Sequence, residues 1–138
     1  MRHLKFVLVS AVAATLAAAS NAAEQPARTS TALVKPLLTL ALPDVQGKEV
    51  MMLTVEYPPG VASGAHRHNA NTFVYVLEGS VIMQVEGGQQ MTLAPGETFY
   101  ETPTDIHSVS RNASATERAK FLVFFIKDQG APTTLPAK

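Results

Sequence analysis

His66 and His68 stand one residue apart, directly before a stretch typical of a β-strand, NTFVYV. Side chains two positions apart on a strand point to the same face, so both imidazoles would lie together with Cα atoms roughly 6.5–7 Å apart. Imidazoles at that spacing can bind one metal ion. An isolated His-x-His pair is also typical of a solvated strand end, so the spacing alone leaves both interpretations open.

His107 is the third histidine that bears on this chemistry. The chain has four histidines, and His3 lies in an N-terminal segment that we expect to be removed. Each remaining histidine follows a Gly or Pro turn segment at the entrance of a predicted strand, and a neighbouring strand would bring His107 beside the pair. Three imidazoles with open positions suit a divalent transition metal, and Fe, Mn, Ni, Cu and Zn all fit.

The N-terminus has the layout of a secretory signal peptide. Arg2 and Lys5 form a basic start, an Ala-rich apolar run follows, and small residues end it at Ala22 and Ala23. The apolar run is short for a membrane span. We therefore expect residues 1–23 to be cleaved, the protein to be secreted or periplasmic, and no membrane span to remain.

Composition excludes several classes of function. The chain has 11 basic and 11 acidic residues, and loss of Arg2 and Lys5 leaves nine against eleven, a net charge of −2. Nucleic-acid binding requires a basic face, so we expect none. The chain has no cysteine, so neither a thiolate ligand nor a thiol nucleophile is available.

Short strands separated by Gly and Pro turns dominate the rest of the chain. We count eight or nine, among them the apolar run FLVFFI within 121–126, and no convincing amphipathic helix. This pattern predicts a single all-β domain, a sandwich or a barrel. We expect a flexible leader at 24–36, the domain at 37–128 and a flexible tail at 129–138.

The stretch around the histidine pair resembles the first motif of the cupin superfamily, G-x5-H-x-H-x3-4-E-x6-G. Gly60, His66, His68 and Gly79 fit this frame, and Thr72 stands where the family has Glu. The second motif, G-x5-P-x-G-x2-H-x3-N, is matched more loosely. Its positions correspond to Gly96, Pro103, Asp105 in place of Gly, His107 and Asn112.

The resemblance covers about residues 47–127 and implies a single-domain cupin β-barrel of jelly-roll type, with His66, His68 and His107 holding a metal in its mouth. The family's carboxylate ligand is replaced by Thr72, whose hydroxyl is a poor ligand. Glu101 is the nearest candidate to replace it, although a solvated or turn-capping Glu is an equally simple interpretation. Tyr75 and Tyr100 are candidates for hydrogen bonding a substrate, or for packing.

For a chain whose N-terminus already predicts export, the resemblance further implies a metal-dependent oxygenase-type enzyme acting on a small molecule, as in quercetinase-like cupins. The alternative is a non-catalytic cupin module that binds a small molecule or a partner. A homodimer is also consistent with the resemblance, with the FLVFFI run contributing to the interface; a buried core strand would explain that run equally well.

Overall fold

A computed structural model describes residues 31–138, which form eleven β-strands and no helix. The proposed signal peptide, residues 1–23, lies outside this described part. The strands are β1 (Leu33–Ala41), β2 (Lys48–Tyr57), β3 (Ala62–Ser63), β4 (His66–Arg67), β5 (Asn71–Glu78), β6 (Val81–Val85), β7 (Met91–Leu93), β8 (Thr98–Glu101), β9 (His107–Asn112), β10 (Ala119–Asp128) and β11 (Leu135–Pro136). The all-β fold predicted from the sequence is confirmed.

Two antiparallel sheets face each other. One has the strand order β1-β2-β10-β5-β8, and the other has the order β11-β4-β9-β6-β7, with β3 also paired to β9. Sequence neighbours such as β5 and β6 fall in different sheets, so the chain winds back and forth between the two. The side chains that point inward from both sheets form one apolar core, which includes Leu53, Val76, Met83 and Phe121.

The apolar run in β10 alternates between the two faces of its sheet. Phe121, Val123 and Phe125 are buried in the core, whereas Leu122, Phe124 and Ile126 are half-buried on the outer face. The interpretation as a buried core strand therefore holds for the inward half of the run, and a role of the outward half in a dimer stays a prediction.

Strands also occur in the leader and tail segments that flank the expected domain. Strand β1 begins at Leu33, four residues before the expected boundary at 37, and pairs with β2 along its whole length. The expected tail contains β11, which pairs with β4 beside the first histidine. Within residues 31–138 no helix is long and apolar enough to cross a membrane.

Candidate metal centre

The three histidines meet at one place between the two sheets. His66 lies on β4 directly opposite His107 on β9, as Cα partners in the ladder. His68 follows β4, and its ring centroid is 4.8 Å from that of His66, which is 5.1 Å from that of His107. One nitrogen from each ring lies within 4.8 Å of the others, close enough for all three to bind a single ion.

Backbone carbonyl groups fix the tautomers of two of these histidines. His66 Nδ1 donates a hydrogen bond to the carbonyl oxygen of Gly64 at 2.7 Å, and His68 Nδ1 donates one to the carbonyl oxygen of Thr133. A carbonyl oxygen only accepts, so each Nδ1 carries the proton. Both rings therefore keep an Nε2 lone pair for a ligand, which is the usual arrangement of metal-binding histidine.

His107 is held differently from the other two rings. It is 3% exposed, and neither of its ring nitrogens has a hydrogen-bond partner among the described residues. Phe99 stacks on its ring with centroids 5.7 Å apart, and Phe125 packs against His68 at 5.0 Å. Unpartnered polar atoms in a buried place are costly. The donor set, three imidazoles with unused nitrogens, fits a borderline transition-metal ion.

Glu101 and Thr72 lie side by side in this centre. They are Cα partners across β5 and β8, and both are almost fully buried. The Thr72 hydroxyl donates to the carbonyl oxygen of Ala70 at 3.4 Å. Glu101 Oε1 lies 3.2 Å from His107 Nδ1, without hydrogen-bond alignment, and neither carboxylate oxygen has another partner in residues 31–138. Both side chains line the cavity that contains the three histidines.

Tyr75 and Tyr100 lie elsewhere. Both are nearly half exposed on the outer face of the five-stranded sheet, and neither lines the cavity that contains the histidines. The reason is strand alternation, because Tyr75 is an odd number of positions from the inward-facing Thr72, and Tyr100 precedes the inward-facing Glu101. They line a second cavity on that outer face, so a role in hydrogen bonding a substrate stays a prediction.

The centre opens into a cavity of about 420 Å³. Its walls are mainly apolar, and include Leu53, Val74, Phe121 and Val123. Its lining contains no lysine or arginine among the described residues. The Tyr57 hydroxyl is a polar group in this lining, and it is hydrogen bonded to Ser63 Oγ at 2.7 Å and to Ser110 Oγ at 2.8 Å.

Burial shapes the electrostatics of the centre. The pKa of His68 is lowered mainly because burial disfavours its charged form, while the Thr133 carbonyl and the Glu101 charge act in the opposite direction. A lowered pKa keeps the ring neutral, and neutral imidazole is the form that binds metal.

Thr133, Phe99 and Phe125 are parts of this centre that the sequence did not indicate. Thr133 acts through its backbone oxygen, which any residue provides, and no sequence signal marks it. Phe99 and Phe125 each lie on a predicted strand, which is the one feature of the sequence that marks them; their contacts with His107 and His68 are visible only in the structure.

Two antiparallel sheets wound into a barrel, with histidines from two strands meeting in its interior, define a small β-barrel protein with a candidate metal site. The cupin domain family model matches residues 53–125, more than half of the chain. This chain belongs to the cupin family. A search of curated proteins gave no match.

Solved structures share the fold at low sequence identity. A cupin with a double-stranded β-helix fold from Methanocaldococcus jannaschii is 15% identical, with a TM-score of 0.56 over 76% of this chain and 88% of its own. Oxalate oxidase in complex with glycolate is 21% identical, with a TM-score of 0.59 over 81% and 58%. The DMSP lyase DddQ from Ruegeria pomeroyi is 21% identical, with a TM-score of 0.56; the match covers 62% of this chain and only 42% of that one.

Proposed function

We propose that this cupin binds one divalent transition-metal ion through His66, His68 and His107 and uses it on a small, mainly apolar molecule. The observation that carries the proposal is the meeting of three buried or half-buried imidazoles at the wall of an apolar cavity. Two of them donate their Nδ1 proton to a backbone carbonyl oxygen, which leaves Nε2 for a metal ion. A cavity of about 420 Å³ is within the usual range for small-molecule sites.

The reaction class that we propose is of oxygenase type. When bound, the metal would supply Lewis acidity and open coordination positions for the substrate and O₂. The chain would supply the rest: apolar walls that exclude water, and the Tyr57 hydroxyl as a polar contact. The absence of lysine and arginine from the described lining favours a neutral or chelating substrate over one recognised by a salt bridge. The resemblance to quercetinase-like cupins is the support for this class, and an oxalate oxidase is among the proteins that share the fold.

Elemental analysis and O₂ uptake test the proposal. The purified protein should contain one metal ion per chain, and His107→Ala should lose stoichiometric binding while keeping the β-sheet circular dichroism spectrum. Thr104→Ala, an exposed change in the loop before β9, is the matched control. Catechol-, flavonol- or diketone-like compounds should stimulate O₂ uptake in the metal-loaded protein. Full metal occupancy in both His66→Ala and His107→Ala would refute the ligand assignment.

The second candidate is a non-catalytic module that binds a small ligand in the same cavity. The observation in its favour is Thr72, whose hydroxyl is hydrogen bonded to the backbone and cannot replace a carboxylate ligand. In that case, metal-free protein would bind apolar compounds as tightly as the loaded protein, with no O₂ consumption.

We also propose export, which the N-terminal pattern supports. Mass spectrometry of the protein from the periplasm or medium should give a mature N-terminus at residue 23 or 24. Recovery of the intact N-terminus from the cytoplasm would contradict export.

Homodimer formation is supported by the outer face of the five-stranded sheet. One row of side chains crosses all five strands without a charge, namely Leu38, Met52, Phe124, Phe73 and Tyr100. The face of an antiparallel sheet that meets water normally carries polar side chains. Five strands about 4.8 Å apart and about 20 Å long give roughly 500 Å² per copy, which reaches the lower limit of specific dimers.

A second copy packed face to face would cover this row. Light scattering at micromolar concentration should give a dimer, Phe73→Glu should give a monomer, and Val45→Glu, an exposed apolar residue outside the row, should remain dimeric. A monomeric wild-type protein would refute the pairing.

A further inference from the structure

We propose that Glu101 is a positioning residue for His107, supplying from strand β8 the carboxylate that the family motif places at Thr72. This inference rests on the proposed metal site. Its basis is the cross-strand pairing of Thr72 with Glu101, which puts the carboxylate at the neighbouring place in the sheet. The Glu101 side chain thus lies one strand away from the motif position and lines the same cavity.

The three Nδ1 atoms show a common pattern. Those of His66 and His68 each face a backbone carbonyl oxygen, and that of His107 faces Glu101 Oε1 at 3.2 Å. A carboxylate that accepts the Nδ1 proton leaves the His107 Nε2 free, so all three rings would present the same nitrogen to one ion. The terminal torsion of a Glu side chain is soft, and its rotation can bring the oxygen into line with the N–H.

The burial of Glu101 supports an interaction rather than a solvated role. Its side chain is 2% exposed, and both oxygens lack a hydrogen-bond partner among residues 31–138. A buried carboxylate needs a proton donor or a positive charge. The geometry does not favour direct ligation, because the cluster of potential ligand atoms within 4.8 Å of one another contains the three histidines without Glu101.

The role predicts a specific result for two substitutions. Glu101→Gln keeps an oxygen that can accept the Nδ1 proton, whereas Glu101→Met removes the acceptor at similar size. We expect Zn²⁺ affinity to fall about 10-fold or less in Glu101→Gln and about 10- to 100-fold in Glu101→Met, the range for loss of an outer acceptor. Glu86→Gln, an exposed Glu on the turn after β6, removes the same charge and should bind as the wild type does.

Two spectroscopic readouts separate positioning from other roles. ¹⁵N NMR of the Zn²⁺-loaded wild type should show the His107 proton on Nδ1, and Glu101→Met should weaken or shift that signal. The Co²⁺ absorption spectrum should keep its intensity in Glu101→Gln, because the number of ligands is unchanged. A change in Co²⁺ coordination number, or wild-type Zn²⁺ affinity in both variants, would overturn the assignment. Failure of the wild type itself to bind Zn²⁺ would instead refute the proposed metal site.

Discussion

Asn112 at the end of β9 should be the polar residue whose loss destabilises the fold most. Its Nδ2 donates to the carbonyl oxygens of Tyr57, Pro58 and Glu117 at 3.0, 3.1 and 2.8 Å, and its Oδ1 accepts from the Ser114 amide at 2.9 Å. The side chain thus joins β2, the following turn and the loop before β10. It is 3% exposed, so water cannot readily replace these bonds.

The expected magnitude follows from the bonds that Asn112→Ala removes. Nδ2 has two hydrogens shared among three acceptors, which amounts to about two donor bonds plus the one accepted by Oδ1. At about 0.5–1.5 kcal/mol for each bond, the free energy of unfolding should fall by about 3 kcal/mol, well above the ~1 kcal/mol of an average substitution. Most of a domain's stability, about 5–15 kcal/mol in total, should remain.

Urea unfolding followed by far-ultraviolet circular dichroism measures this difference. The matched control is Asn71→Ala, which removes one bond, donated by the Tyr100 hydroxyl at 2.7 Å on the outer face. That control should lose less than about 1 kcal/mol. A loss for Asn112→Ala no larger than for Asn71→Ala would refute the argument that this amide joins the three segments.

Two further predictions concern the turns and the ion pairs. Gly79→Ala should lower the free energy of unfolding by more than about 2 kcal/mol, because a Cβ there would lie 2.3 Å from the Arg118 carbonyl oxygen and φ is +67°. The control is Gly87→Ala, at φ +75° with open space around it, which should lower that free energy by about 1–2 kcal/mol in thermal or urea unfolding. Glu49 pairs with the buried Lys127, which holds the pKa of Glu49 below its ordinary value of 4.5. A carboxyl whose pKa is lowered in the folded protein contributes its full stabilisation above the ordinary pKa and loses it as the pH falls through the lowered pKa. Glu49→Gln should therefore lower the melting temperature at pH 7, and the difference from the wild type should shrink in acid. A difference that stays constant with pH would contradict the pairing.

The class of fold and the meeting of the three histidines could be predicted from the sequence. The turns and β-rich segments indicated the strands, and the motif spacing placed His107 near the pair. The FLVFFI run was harder, because apolar residues at every position hide the period-two signal that separates inward Phe121 from outward Phe124.

Other contacts of the site are not marked by any residue type in the sequence. The contact between His68 and the Thr133 carbonyl joins residues 65 apart through a backbone atom, so no residue type marks it. Tyr75 is different, because it lies three positions from Thr72 and strand alternation in the sequence already indicates the opposite face of the sheet. The pairing of Glu101 with Thr72 joins two distant strands, so it is visible only in the structure.

Strand β11 has a practical consequence for producing the protein. Pro136 pairs directly with His66, and the Thr133 carbonyl oxygen accepts a hydrogen bond from His68. A hexahistidine tag fused after Lys138 would begin close to these histidines and would offer competing imidazoles to any ion that they bind. A tag at this end should therefore be removed before metal analysis, or the protein should be purified with a histidine-free tag. The measured ratio of metal to protein then reports on the three histidines alone.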